Sequence, residues 1–413
     1  MRSNAVQSKK AILLGALCFV TSLELLLAND HNDSLEDYIS DVKREQFRFD
    51  YEKNEAQSSV LRDSWIAPIN INYTLSRSNA NPLRPEQETR TAAIKMDQPI
   101  FQSGGIYYGI KFATASKRYT DYTIDVAKRK MIKDAIALLM QIKQSDLKIA
   151  KQKLQIKNSE IGLEQKTQQY LTGQLDSSFL DDAVIERNSV TQALYDQESA
   201  KERLIASFRV LSDLDYRSAK IPKLELLNQE EFLKYNTQLE MAESQIQRDE
   251  YNNKMTLTKY LPSLNFTAGY TWTVQKNAFF AEGEREFYDY GLRANLPLSI
   301  NTFREIESAK IDYLKSKVMK EDVKNQQIAL FTQVMQNLEN LEKKKNLSVK
   351  NEQLYSKLLK DTRALYGAGY KTEYDVELLQ NSVEIAKLDV KIYEIDRQLE
   401  LLNLYEMYVN DSL

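Results

Sequence analysis

Apolar and polar residues alternate strictly in three short stretches of the chain and loosely in a fourth. Ile69, Ile71, Tyr73 and Leu75 alternate with Asn70, Asn72, Thr74 and Ser76. Leu264, Phe266, Ala268, Tyr270, Trp272 and Val274 alternate with Asn265, Thr267, Gly269, Thr271, Thr273 and Gln275. Tyr288, Tyr290, Leu292, Ala294 and Leu296 stand against Asp289, Gly291, Arg293 and Asn295. A period of two gives each strand one apolar and one polar face. The fourth stretch, around Ile94 and Met96 with Lys95 and Asp97 between, is shorter and less regular. Polar connections at Ser76–Glu88, holding Pro82 and Pro85, and at Gln275–Glu286, holding Gly283, join the strands as two hairpins.

Elsewhere the pattern is helical. Residues 106–170 and 303–366 carry apolar side chains at steps of three and four, and shorter returning runs span 179–214 and 375–409. Ile385, Leu388, Ile392, Ile395, Leu399 and Leu402 form a heptad seam, which an ordinary amphipathic helix would share in part. All seven prolines lie outside these runs: none falls in 100–221 and none after Pro297. That favours unbroken helices, since proline removes a backbone donor and clashes with the preceding turn. About 64 helical residues extend on the order of 95 Å, so the molecule is expected to be elongated.

The pattern occurs twice. Pro68, Pro99, Tyr170 and Gly173 have counterparts at Pro262, Pro297, Tyr366 and Gly369, at offsets of 194, 198, 196 and 196. This reads as a duplicated unit of domain size. The first unit, 29–215, comprises an N-terminal helix, a strand pair about 64–103 and a helical hairpin about 104–214. The second, 216–413, comprises a connecting helix about 229–257, a strand pair about 258–300 and a hairpin about 301–409. The hairpin turns are Gly173–Ser178 and Gly367–Thr372.

Composition narrows the class. Charged residues reach 28% and mean hydropathy is −0.52, which excludes a bundle of transmembrane helices. Arg2, Lys9 and Lys10 precede an apolar stretch from Ala11 to Val20, and a weaker one, interrupted by Thr21, Ser22 and Glu24, continues to the small residue Ala28. This is the layout of a cleaved secretory leader, residues 1–28. Three basic residues and one acid would leave with it, taking the net charge from −3 to −5. The single cysteine, Cys18, would leave too, so no disulfide or thiol chemistry is expected. A mildly acidic chain without a basic block argues against nucleic acid.

Catalytic chemistry finds no constellation. His31 is the only histidine, which excludes a triad and any site built on several histidines. Gly104-Gly105 lacks the surroundings of a phosphate-binding loop and reads as a strand-to-helix junction. Asp181-Asp182 reads as solvated helix surface. No enzyme, metal or cofactor is expected.

The strands admit two readings. A two-faced sheet can lie on a soluble core; a soluble periplasmic coiled-coil adaptor or scaffold would explain the helices equally well but leaves the aromatic alternating strands unexplained. Aromatic-rich apolar faces between solvated loops instead match a membrane β-barrel. Strands in hydrocarbon must close, because an open edge leaves backbone groups unpaired. Four strands cannot enclose a lumen, whereas three chains would supply twelve strands and twelve helices.

The duplicated unit, the prolines bracketing each strand pair, and the tip sequences Tyr170-Leu-Thr-Gly173 and Tyr366-Gly-Ala-Gly369 resemble the TolC-like outer-membrane channels of Gram-negative bacteria. The resemblance spans nearly the whole chain after the leader. It implies a homotrimeric 12-stranded β-barrel, four strands per chain, continuous with a long periplasmic α-helical tunnel. It also implies an exit duct that docks an inner-membrane pump through a periplasmic adaptor. In the family, links between hairpins close the tunnel tip and acidic residues ring it. Tyr366 matches the gating tyrosine, Lys371 stands where an arginine is frequent, and Asp375 matches the first entrance aspartate. The second aspartate would fall at Leu378, with Glu377 the nearest acid. In the first unit the partner acid aligns with Phe179, and Asp181 and Asp182 lie just beyond. The tip glycines, Gly173 and Gly369, mark the expected adaptor contact. Lysine in place of arginine loses two-pronged geometry.

Overall fold

A computed structural model describes residues 35–79, 86–277 and 280–408. The leader, Cys18, His31, Pro82 and Pro85 lie outside the described residues. After a single 3₁₀ turn, helix α1 (Asp41–Arg62) leads into strands β1 (Asn70–Ser78) and β2 (Gln87–Phe101) and the helical hairpin α2 (Gly105–Leu171) and α3 (Ser177–Leu211). Helices α4 (Gln229–Lys234) and α5 (Thr237–Thr258) then lead into β3 (Ser263–Asn277), β4 (Phe280–Asn295) and the hairpin α6 (Thr302–Gly367) and α7 (Glu373–Tyr405).

Helices start where side chains can satisfy orphan N–H groups. Ser40, Asp176, Asn228, Asn236 and Thr372 accept hydrogen bonds from the first turns of α1, α3, α4, α5 and α7. The 67 residues of α2 make it about 100 Å long. Gly104, at φ 91°, swings the chain from β2 into α2, a left-handed conformation that suits glycine.

Four points differ from the sequence expectation. First, β2 is a full 15-residue strand rather than a short piece around Ile94, because β1 and β3 pair with it on both sides. Second, the stretch Gln275–Glu286 is mostly strand, not loop. Ladder pairing carries its charged residues to Asn277↔Phe280, and only residues 278–279 separate β3 from β4. Likewise, β1 runs to Ser78 and β2 starts at Gln87, with Arg77 ion-paired across the strands to Glu88 at 3.0 Å. Third, the connecting helix breaks at Tyr235 and Asn236, where Asn236 caps α5 and bridges to Tyr408. Fourth, α3 and α7 stop at Leu211 and Tyr405, short of 214 and 409.

One main core sits midway along α2 and α6 and at the C-terminal end of α7. Ile132, Ile136 and Met140 of α2, Phe331 and Val334 of α6, and Leu401 and Leu404 of α7 pack with Phe232 of α4. A satellite cluster joins Leu139 and Ile142 of α2 to Ile205 and Phe208 of α3. Side-by-side packing gives the order α3–α2–α7–α6, with α5 against α2 and α6. The four long helices thus form a one-layer wall whose outer members, α3 and α6, have a long-helix neighbour on one side only.

Candidate functional site

The sheet has the order β1-β2-β3-β4, antiparallel throughout. Its register assembles two contrasting faces. Across one face run Ile71–Ile94–Tyr270–Tyr288, Tyr73–Ala92–Trp272–Glu286, Met96–Ala268–Tyr290 and Gln98–Phe266–Leu292. Its large side chains are solvent-exposed: Tyr288 80%, Tyr290 77% and Ile71 76%. Across the other run Asn70–Lys95–Gly269–Asp289 and Thr74–Thr91–Thr273–Arg285. There Asp97 pairs with Arg293 at 3.0 Å and accepts from Asn265 at 2.7 Å. Phe287, beside Thr271, is the exception on this polar face.

From Leu264 to Trp272 the apolar face extends about 26 Å along the strand at ~3.3 Å per residue, or about 20 Å of height at the ~40° tilt of outer-membrane strands, most of their ~25 Å apolar band. Beyond Trp272 the same face turns charged. The Trp272 indole donates to Glu284, and Arg90 meets Glu88 at 2.6 Å. A soluble sheet would cover such a face with helices; among the described residues no helix covers it. Among the described residues β1 and β4 each pair on one side only, so the sheet keeps two open edges.

The far ends of the hairpins share one construction. Gly173, at φ 73°, donates to the Tyr170 carbonyl at 2.9 Å, while Gln174 donates to Gln169 at 2.8 Å. Gly369, at φ 80°, donates to the Tyr366 carbonyl at 3.0 Å, while Tyr370 donates to Leu365 at 2.9 Å. Both are Schellman C-caps, which require a left-handed residue after the helix. Each next helix is then capped three residues after its glycine, by Asp176 and by Thr372.

The structure joins two of the sequence-selected tip residues directly. Lys371 Nζ lies 3.8 Å from Asp375 Oδ1. Asp375 also completes a capping box: its carboxylate accepts from the Thr372 N–H at 3.0 Å, and its N–H donates to Thr372 Oγ1 at 3.3 Å. The Thr372 N–H, aided by its hydroxyl and by Lys371, holds the Asp375 carboxyl below the usual carboxylate range. Tyr366, Glu377, Asp181 and Asp182 point to solvent. Among the described residues no hydrogen bond or ion pair links the two tips.

Sequence reasoning missed a polar ladder between the hairpins. Gln144 of α2 bonds Asp396 of α7, Lys151 pairs with Asp389 at 2.7 Å, and Asn158 accepts from Asn381 at 2.8 Å. Gln144 and Asn381 are buried. The seven-residue spacing of 144, 151 and 158 was the available signal, since it repeats in the heptad period of the apolar seam.

Comparison with protein-family models and with curated proteins finds no match, whereas solved structures match over nearly the whole chain. The Campylobacter jejuni outer-membrane channel CmeC aligns at TM-score 0.70 and 12% identity, covering 92% of this chain and 86% of CmeC. The Vibrio cholerae outer-membrane protein VceC aligns at TM-score 0.69 and 13% identity, over 91% of this chain and 96% of VceC. The open state of the Neisseria gonorrhoeae outer-membrane channel MtrE aligns at TM-score 0.66 and 13% identity, over 90% and 86%. The fold is that of the TolC-like outer-membrane channels. The hairpin tips stand a full long helix away from the sheet, at the far ends of the 67-residue α2 and the 66-residue α6. No helix among the described residues is long and apolar enough to cross a membrane.

Proposed function

We propose that the protein is an outer-membrane channel subunit, the exit duct of a tripartite efflux or type I secretion system. One observation carries this reading: a two-faced sheet, apolar on one face and polar on the other, is open at both edges among the described residues and continues into a helical wall whose outer helices each have a long-helix neighbour on one side only. An open edge in hydrocarbon leaves backbone groups unsatisfied. Three copies would close a twelve-stranded barrel, an even number within the known range, and would carry twelve long helices into a periplasmic tunnel. The polar face would line the bore and the aromatic face would meet lipid. The homotrimer would need a periplasmic adaptor at its tips, around Gly173 and Gly369, and an inner-membrane pump to supply energy. It would perform no reaction of its own.

The tip residues would form the periplasmic gate. Tyr366 and Lys371 would hold the closed state, while Asp375, Glu377, Asp181 and Asp182 would set the charge of the constriction. The capping box gives Asp375 a second task, fixing the start of α7. The gate therefore rests chiefly on Tyr366 and Lys371. That the structure of the Neisseria gonorrhoeae channel is described as an open state is in keeping with a gate.

Planar bilayers test both levels. Purified full-length protein should insert and conduct, and a Tyr366→Phe, Lys371→Ala pair should raise conductance severalfold. Unchanged conductance would remove the gate assignment. Release of the protein from membranes by alkaline carbonate would remove the channel itself.

A further inference from the structure

Where the sheet meets the helices lies a cavity of about 370 Å³, walled by the ends of α1, β2 and α5 and the starts of α2 and β3. Its floor is the first two turns of α2, where Gly105 and Gly109 stand one helical turn apart on one face. The two glycines differ in what demands them. A Cβ on Gly105 would come within 3.1 Å of Thr258 Oγ1, so close packing against α5 accounts for it. A Cβ on Gly109 would meet only Met255 Sδ, at 4.0 Å. Neither crowding nor a left-handed backbone calls for glycine at 109, and glycine inside a helix weakens it. What the bare position leaves is open space.

The rim around that space is amphipathic. Trp65 and Met255 supply apolar surface, and Arg62 and Lys259 supply positive charge. Arg62 is held by Asp63 through two contacts, at 3.0 and 3.1 Å, but Lys259 makes no ion pair among the described residues. Indole rings beside basic side chains are what a bilayer boundary selects: the ring sits at headgroup level, and the long cationic stems reach toward phosphate. Basic groups near an anionic leaflet gain further attraction.

Resting on the channel reading, which sets this junction at the periplasmic boundary of the membrane, we propose that the cavity binds an anionic phospholipid of the periplasmic leaflet. The headgroup phosphate would lie by Lys259 and Arg62, and the glycerol and first acyl carbons would pass over Gly109. A volume of 370 Å³ holds that portion of a lipid, leaving the chains to run up the apolar face of the sheet.

The chain contains two tryptophans, so Trp272→Phe leaves Trp65 as the sole reporter. This full-length protein is reconstituted in phosphatidylcholine vesicles carrying a minor fraction of bromine-labelled phosphatidylglycerol or, in parallel, bromine-labelled phosphatidylcholine. Trp65 should be quenched preferentially by the anionic lipid. Lys259→Gln should lower that preference about fivefold, the effect of one basic residue at an anionic surface, and Gly109→Leu should abolish it. Equal quenching by both lipids, or a preference that survives both substitutions, overturns the proposal. So does a Trp65 shielded from either lipid, which would mean that a neighbouring subunit fills the cavity. Recovery of fluorescence with added inorganic phosphate would show a free-anion site and likewise overturn it. Flotation separates the two levels: protein that fails to float with the vesicles refutes the channel, whereas floating protein without lipid preference refutes only this site.

Discussion

Two glycines and one aspartate determine how the hairpin tips turn. At Gly369 the backbone stands at φ 80°, a region in which a Cβ costs about 1–2 kcal/mol. Gly369→Ala should therefore fray the last turn of α6, seen as lost amide-exchange protection at Tyr370 and Gly369, with little change in the midway core. Gly173→Ala should do the same to α2, since its φ of 73° and paired hydrogen bonds are closely similar. Asp375 adds a pH dependence whose sign follows from its lowered folded-state pKa. Its contribution is fully present above the ordinary aspartate value of about 3.9 and is lost as pH falls through the lower folded value. Protection of the first turn of α7, corrected for intrinsic exchange rates, should exceed that of Asp375→Ala at neutral pH. The gap should close below about pH 4. The tips were partly legible in the sequence: Tyr170/Gly173 and Tyr366/Gly369 recur because each pair sits in a Schellman cap. The capping box was not read, because Thr372 and Asp375 are also ordinary turn residues and only the hydrogen bonds distinguish the two.

At the scale of elements, legibility followed the contrast between faces. β3 along most of its length and β4 over its second half alternate apolar, largely aromatic, and polar residues, so their period stands out without any partner. β2 places Ala92, Ala93, Lys95 and Asp97 at its centre and has little contrast of its own; the ladders of β1 and β3 supply what local pattern does not. The missed strand at Gln275–Glu286 has the same origin. Charged residues are compatible with pairing wherever both faces reach water, so polarity alone does not mark a loop. The register allows a test of which face meets lipid. Leu292→Arg, on the apolar face beside Phe266, should weaken insertion by about 2–4 kcal/mol if it lies near the bilayer midplane. Thr267→Arg, one position along on β3, projects from the polar face and should insert nearly as the parent does. Urea titration of folding into vesicles measures both. Equal penalties would contradict the assignment of faces.

At the scale of the molecule, the two hairpins are joined mainly through α2 and α7, and the character of that seam changes along its length. Near the midway core it is apolar, through Ile136, Met140 and Leu401; toward the tips it is polar, through the contacts of Gln144, Lys151 and Asn158. A half-buried pair such as Lys151–Asp389 adds little net stability, but removing one partner strands the other. Lys151→Met should thus cost more than the Lys151→Met, Asp389→Leu pair, with a coupling on the order of 1 kcal/mol in a double-mutant cycle. The seven-residue spacing of Gln144, Lys151 and Asn158 was visible, but its meaning was not, because these polar residues occupy seam positions where apolar ones are expected and only the partner helix explains them.

The open edges of the wall carry the strongest claim about assembly. On α6, Ile311, Leu314 and Val318 are exposed, and Leu347, Leu354, Leu358 and Leu365 follow at steps of seven, four and seven. Such an apolar stripe on an outer helix normally marks a protein interface. Among the described residues α6 packs on α7, α5 and α4, and these seven side chains stay exposed. If three copies close the tube, this stripe must seat against an edge helix of the next copy. The unpaired edges of β1 and β4 must meet at the same junction, since the sheet and the helices would then form one wall. A Leu354→Glu, Leu358→Glu variant should then shift the detergent-solubilised protein from trimer toward monomer in light scattering. It should leave helix content almost unchanged, because both side chains already face solvent in the single chain. Substitution of exposed leucines on a monomeric protein would instead raise solubility without altering mass. A mass that stays at three chains in the variant would mean that the α6 stripe is not where neighbouring subunits join.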